Sequence, residues 1–440
     1  MSEGPTQEHE ASESASSAGT HPNEMTRGYT RYALGVLVLV YVFNMVDRNI
    51  LNVLLEPIKE ELGATDLQLG LLVGPAFAIF YAVAGIPIAR ISDRYSRRTV
   101  ISAGLVVWSM MTAVSAFVRT YPQLLLARIG VGVGEASCSP AAHSLLSDYF
   151  PPDRRATAFA IYAIGAPLGA VLGFLIGGWV TEFFSWRQAL LVVGLPGIVF
   201  AAVVWFTLRE PVRGAFESAP LSNIPLRDAL GSMARLPALR HTLIGAAVHA
   251  FASVGVGSWN APFLMRVHEM SPGQVGTWMA VLAMMSAVGT FAGGRITDWL
   301  ARRDVRWNLW ASGVATLGAL PFYLGFYLLA GREMALAMAF PASMLAAFFT
   351  APTIAMTQAL VRPNMRALAS AVMLFMSNMV GTGLGPLMVG FLSDWLTPEY
   401  GSQAIRYALL VVVGSNLWAA IHFFLGARTL RRDLESVRSG

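Results

Sequence analysis

The stretch ISDRYSRR, residues 91–98, returns as ITDWLARR at 296–303, an offset of 205 residues that keeps the pattern I-[ST]-D-x-x-x-R-R. Each copy follows a long apolar run and closes on paired arginines. Two more echoes occur in the same order: PDRRATAFA (152–160) against PNMRALASA (363–371), and GAPLG (165–169) against GTGLG (381–385). The offsets, 211 and 216, drift by five residues, so the repeat is loose. Three ordered echoes in equivalent gaps point to a chain made of two similar halves.

Composition says where such halves live. Of 440 residues 55% are hydrophobic and 13% charged, with a mean hydropathy of +0.55, whereas soluble domains carry about 25% charged residues. The chain therefore reads as an integral membrane protein. A spanning helix needs about 20 mainly apolar residues, and on that basis twelve are predicted: roughly 31–56, 67–89, 99–118, 122–147, 156–181, 188–208, 241–266, 275–294, 308–330, 334–361, 367–396 and 405–427. With the N-terminus on the cytoplasmic side, 23 of the 31 basic residues fall in cytoplasmic segments and six in the outer connections, one each. Both termini are thus expected in the cytoplasm. The resulting organisation is a disordered cytoplasmic tail (1–30), a six-helix bundle (31–208), a cytoplasmic linker (209–240) with a short surface helix around 226–235, a second six-helix bundle (241–428) and a short cytoplasmic tail (429–440). The first 28 residues lack the basic and apolar regions of a signal peptide. Thirty arginines against one lysine indicate a GC-rich bacterial genome, hence a bacterial inner membrane.

Several function classes are disfavoured. The lone Cys138 and seven scattered histidines give no metal-ligand spacing, so neither metal nor cofactor is expected. Basic residues never form a patch with interleaved aromatics, which argues against nucleic acid. GVGVGE (130–135) lacks both the G-x-G-x-x-G spacing and a preceding strand. No nucleophile and base constellation marks a membrane enzyme, and no catalytic residue is assigned. Duplicated halves favour an alternating-access transporter, expected as a monomer, over a channel.

Charges inside the spans stand out against this background. Asp47 and Arg48 in the first helix and Arg128 and Glu135 in the fourth each cost about 2.5–3.5 kcal/mol at a helix centre, so together about 10–14 kcal/mol must be compensated. Asp47 and Arg48, being adjacent, point about 100° apart and must play different roles. Arg128, Gly132, Glu135 and Ser139 share one helical stripe. Asp47 is read as the protonatable group with Glu135 as its partner or second proton site. Arg48 and Arg128 are read as holding these carboxylates or an anionic head group in alternation; a static charge network is the competing reading.

Asp93, Arg97 and Arg98, with their echo Asp298, Arg302 and Arg303, are read as a cytoplasmic gate latch. Further cavity candidates are Asn44, Ser139, His143, Trp259, Asn260, Gln358 and Asn378. His143 and His249 lie within helices, where a hydrogen-bonded structural role is favoured over proton relay. Trp259, Asn260 and Pro262 are expected to break the seventh helix near its outer end, or else Trp259 anchors it at the interface. Helices seven to twelve carry no interior charge but methionine-rich runs, WMAVLAMMSAV (278–288) and AVMLFMSNMV (371–380). One charged wall and one apolar wall suit an amphipathic cargo.

ARISDRYSRR (89–98) resembles the signature loop of the major facilitator superfamily, departing from it at Ala89 and Ser96. VDRNILNVLLEPIKEELG (46–63), RIGVGVGEASCSPAAHSLLSDYFPPDRRATAFAIY (128–162) and GTGLGPLMVGFLSD (381–394) resemble the Spinster family of lipid transporters. That resemblance implies an all-α fold of two pseudo-symmetric six-helix bundles and transport of lysophospholipid or sphingosine-1-phosphate, with Asp47 and Glu135 as proton-sensitive switches. The partners implied are an amphipathic lipid or small organic substrate, protons and membrane lipids. Proton-coupled transport of a small organic anion or drug-like compound is the alternative.

Overall fold

The computed structural model describes residues 25–214, 216 and 226–439. Residues 1–24 of the expected N-terminal tail and the middle of the linker lie outside them. The described residues are helical, with no strand among them. The N-terminal half holds Arg27–Leu62, Asp66–Arg94, Arg97–Ser115, a fourth span made of Tyr121–Glu135 and Cys138–Tyr149, then Pro152–Phe183 and Trp186–Thr207. The C-terminal half holds Pro237–His268, Pro272–Ala301, Trp307–Leu328, Arg332–Ala359, an eleventh span made of Arg366–Met376, Ser377–Leu384 and Gly385–Tyr400, and a twelfth made of Ala404–Gly414 and Asn416–Ser439.

Ten helical stretches among the described residues are long and apolar enough to cross a membrane. One of them, Pro363–Val437, contains two spans, separated by a turn at Gly401, whose φ of 55° is glycine's territory. The fourth span, made polar by Arg128, Glu135 and Asp148, completes the twelve. The first span starts at Arg27, four residues earlier than expected, because Thr26 caps it by accepting from the Tyr29 amide. The last helix runs on to Ser439.

Local chemistry explains the breaks. Thr65 and Ser271 begin the second and eighth spans with capping boxes closed by Gln68 and Gln274. Ser377–Leu384 winds as a π-helix over the GTGLG repeat, a feature common at functional sites. The seventh span, by contrast, is one continuous helix through Trp259, Asn260 and Pro262, which corrects the expected break. In the linker, Leu226–Ala234 is helical and buries Ala229 and Met233 against the C-terminal half.

With an even number of spans, both described ends and the linker share one face, called here the linker face. Contacts between halves pair the fifth span with the eighth and the second with the eleventh. The hydrogen bonds and ion pairs linking the halves gather on the opposite face: Arg266 binds Glu56 and Asp66, Ser393 binds Asp66, and Trp179 donates to Thr277. The molecule is thus sealed on that face and open on the linker face.

Where spans touch, small residues let backbones approach. A Cβ at Gly293 would overlap the Phe348 carbonyl of the tenth span, whereas one at Gly294 would meet only the Ala351 Cβ, at 3.5 Å. Gly293→Ala is therefore expected to cost about 1–3 kcal/mol by overpacking and Gly294→Ala to be close to neutral, as read by thermal unfolding in detergent.

Candidate functional site: a cavity between the halves and the charges behind its wall

A cavity of about 1010 Å³ lies between the halves. The first span contributes Met45, Asn49 and Asn52, and the fifth Ala163, Pro167 and Phe174. The C-terminal half contributes Ser253, Ser258 and Asn260, then Met279, Ser286 and Thr290, then Tyr323, Ser343 and Thr350. No ionisable carboxylate, guanidinium or ammonium lines it among the described residues. The surface is mainly apolar, with neutral hydroxyl and amide groups set at intervals.

This corrects the expected apolar C-terminal wall, because that half supplies most of the hydroxyls. Of the residues singled out from sequence, Asn260 lines the cavity and accepts from the Tyr327 hydroxyl at 2.8 Å. Trp259 is fully buried and donates to the Pro386 carbonyl, so it is not an interfacial anchor. Gln358 is exposed and bonds Ser370, and Asn378 sits in the π-helical segment; neither lines the cavity. Asn44 is buried, and neither its amide nitrogen nor its oxygen is bonded among the described residues. Of the methionines in the methionine-rich runs, only Met279 lines the cavity among the described residues.

The intramembrane charges sit behind the N-terminal wall. Arg48 Nε donates to Glu135 Oε2 at 2.6 Å, an ion pair in which the carboxylate is fully buried and the arginine side chain 27% exposed. Arg48 follows Met45 by three residues and precedes Asn52 by four, so it lies on the cavity-facing stripe of the first span. Asp47, turned away from it, is buried and accepts from the Thr112 hydroxyl of the third span. The two neighbours thus serve different partners, as their angular separation requires.

Arg128 makes no ion pair among the described residues, although it is buried. Its guanidinium stands 5.0 Å from the Phe77 ring centre, and Arg48 stands 4.7 Å from the same ring. One aromatic ring therefore serves two cations, an arrangement its negatively polarised faces favour. Between Asp47 and Arg128 lies a cavity of about 10 Å³, lined also by Thr112 and Ser115, with room for one water. Of the pairings that the alternation reading allows, this structure holds Arg48 on Glu135, while Asp47 makes no ion pair among the described residues. The shared stripe on the fourth span also ends early, since the helix breaks at Ala136 and Ser137 and leaves Ser139 half-buried outside the cavity lining.

His143 is exposed, its ring set edge-on to Phe159 and Tyr162, with no hydrogen bond among the described residues. His249 is buried and held by the Ala346 carbonyl and Ser253. On the linker face Asp93 is exposed, and Arg213 donates to its backbone carbonyl while its carboxylate has no partner among the described residues. Arg97 is buried against Asp148 and, at 2.7 Å, Glu210, while Arg98 reaches the Leu208 carbonyl. Burial pushes the Glu210 carboxyl up, but hydrogen bonds from Arg97, Arg98 and Ser96 outweigh it and hold it below its ordinary value. Asp298 and Arg302 are exposed. In this linker-open state none of the five bridges the halves among the described residues.

Sequence reading missed Asn49 and Asn52, Ser253 and Ser258, and Ser286 and Thr290. Their signal was available as neutral polar residues three, four or five apart on otherwise apolar helices. It also missed the opposite-face seam, where the ion-pair partners of Arg266 are the acids Glu56 and Asp66.

The Arg48 and Glu135 pair yields an asymmetric prediction. Arg48→Met strands a fully buried carboxylate and is expected to cost about 3 kcal/mol; Glu135→Leu costs less, because Arg48 is partly exposed and rests on Phe77 and Tyr81. The double variant recovers most of the loss, measured as a double-mutant cycle of thermal unfolding in detergent.

The profile of the Major Facilitator Superfamily matches residues 37–386. An MFS-type efflux pump of Mycolicibacterium smegmatis is 35% identical over 404 residues, which cover 91% of this chain and 94% of the pump. Protein spinster homolog 1 of Xenopus tropicalis is 26% identical over 440 residues, covering 91% and 82%. The crystal structure of a bacterial homologue of the human lysosomal transporter Spinster, in an inward-facing and unoccupied conformation, superposes with a TM-score of 0.85 at 32% identity, covering 93% of this chain and 99% of that one. Twelve spans in two halves, a cavity between them and these likenesses agree: the chain belongs to the major facilitator superfamily of transporters, as a multi-pass membrane protein homologous to the Spinster proteins.

Proposed function

We propose that the chain is a secondary transporter that moves an amphipathic lipid of the lysophospholipid or sphingosine-1-phosphate kind by alternating access, coupled to protons through Asp47 and Glu135. The observation that carries this reading is a large, mainly apolar, uncharged cavity with a partly exposed arginine on its facing stripe and two separately held buried carboxylates, Asp47 and Glu135, behind it. An acyl chain fits such a lining, its glycerol or amino-alcohol hydroxyls match the Ser, Thr and Asn groups, and a phosphate would engage Arg48.

The coupling follows from electrostatics. A phosphate at Arg48 competes with Glu135 for the same guanidinium, and a buried carboxylate that loses its cation favours the protonated form. Asp47, held by Thr112 beside the small cavity shared with Arg128, is the protonatable group, with Glu135 as its partner or second proton site. Binding of an anionic head group thereby draws in a proton, which lowers the cost of turning the charged wall through the membrane. With the linker face cytoplasmic, as the distribution of basic residues predicts, the present state opens to the cytoplasm. When it closes, Asp93, Arg97, Arg98, Asp298 and Arg302 meet across the linker face as the gate. The protein acts as a monomer in the bacterial inner membrane.

The similar MFS-type efflux pump fits a second reading, proton-coupled transport of a small organic anion or drug-like compound through the same cavity. Flux of a fluorescent lysophospholipid into liposomes carrying the purified protein separates the two. It is expected to saturate and to follow an imposed pH gradient, and Asp47→Asn is expected to abolish the gradient dependence while the variant stays folded. No lipid flux, with gradient-driven movement of a small organic compound, moves the function to the second reading. Normal pH-coupled transport by Asp47→Asn would remove Asp47 from the coupling.

A further inference from the structure

The seam on the opposite face repeats itself across the two halves. TDLQLG (65–70) opens the second span and SPGQVG (271–276) opens the eighth, an offset of 206. Their counterparts across the seam are Pro386, Gly390 and Asp394 on the eleventh span and Phe174, Gly178 and Glu182 on the fifth, an offset of 212. A Cβ at Gly70 would lie 2.6 Å from the Pro386 carbonyl oxygen, and one at Gly178 would lie 2.6 Å from that of Pro272. Gly276 likewise abuts the Phe174 carbonyl and Gly390 that of Asp66. The two contacts are one design used twice.

At the end of each contact stands an acid. Asp394 Oδ1 accepts from the Asp66 amide at 3.0 Å and Oδ2 from the Leu67 amide at 2.7 Å. Glu182 Oε2 accepts from the Gly273 amide at 2.9 Å. The first amides of a helix have no partner within it and carry the positive end of its dipole. Thr65 and Ser271 satisfy only the third amide of their helices, those of Gln68 and Gln274. The earlier amides are left to a carboxylate from the other half. Pro272 has no amide hydrogen, which explains why Glu182 makes one bond where Asp394 makes two.

We propose that Asp394 and Glu182 are a matched pair of positioning residues in the transport cycle: each caps a helix of the opposite half, and together they hold this face shut until both helix starts are released to water. The assignment needs only the two-half transport architecture and is independent of the lipid and proton reading. Asp394, with two bonds and with Asp66 anchored by Lys59, Arg266 and Ser393, is the stronger cap.

Spin labels test this without reference to orientation. In a Cys138→Ser background, Thr120→Cys and Ser402→Cys place labels at exposed positions of the N- and C-terminal halves on this face. Electron–electron distances are read in lipid nanodiscs. Asp394→Ala is expected to raise the population of the longer, open-face distance about tenfold, the loss of a charge-assisted bond. Glu182→Ala raises it less and the double variant more, while Glu399→Gln, an exposed acid on the same face, leaves it unchanged. If the alanine variants do not purify as monodisperse protein, Asp394→Asn with Glu182→Gln keeps shape and one acceptor but not charge, and a smaller shift in the same direction is expected. An unchanged distance distribution in the folded double variant overturns the proposal.

Discussion

An ionised group in the middle of a bilayer must find a partner, and this chain places four of them in only two helices. The fold of the N-terminal half is arranged around that constraint. Arg48 is neutralised by Glu135, Asp47 is satisfied by Thr112, and Arg128 is accommodated against the face of Phe77. These contacts fix the first, second, third and fourth spans relative to one another. They also explain why the fourth span can be polar enough to fall below the hydropathy of the others yet still cross.

The two halves divide the work. The N-terminal half carries the charge, and the C-terminal half supplies most of the neutral hydrogen-bonding groups of the cavity, so a cargo between them meets chemistry from both. The seam on the opposite face joins the halves through backbone contacts at glycines and carboxylates at helix starts. One buried apolar cluster, with Leu54 and Leu69 of the N-terminal half and Phe263 and Val389 of the C-terminal half among it, packs beside these contacts, so the joint combines apolar packing with polar caps. The linker face, by contrast, keeps Arg97 occupied with Asp148 and Glu210 of its own side of the molecule.

Much of this was legible in the sequence. Twelve spans, the division at the linker and the loose internal repeat follow from apolar run length and from echoes such as ISDRYSRR and ITDWLARR. The different orientations of Asp47 and Arg48 follow from helical geometry alone. Pairing did not follow: four charges with zero net charge allow several partnerships, and only the placement of Thr112 and Phe77 selects one. Trp259 illustrates a second limit, since a proline near a helix end kinks some helices and leaves others continuous, and packing against Pro386 decides. The cavity residues escaped because Ser, Thr and Asn in a membrane helix are cheap to bury and bond their own backbone. Ser286 and Thr290 do so, through the Leu282 and Ser286 carbonyls, and such residues do not announce themselves as intramembrane charges do.

The central claim, that cargo and proton meet at the Asp47, Arg48 and Glu135 cluster, is tested most directly by calorimetric titration of the purified protein with a lysophospholipid in buffers of different ionisation enthalpy. Binding enthalpies that vary with the buffer, showing uptake of about one proton per bound lipid in the native protein and none in Asp47→Asn with Glu135→Gln, are the expected result. Lipid binding with the same enthalpy in every buffer would contradict the account.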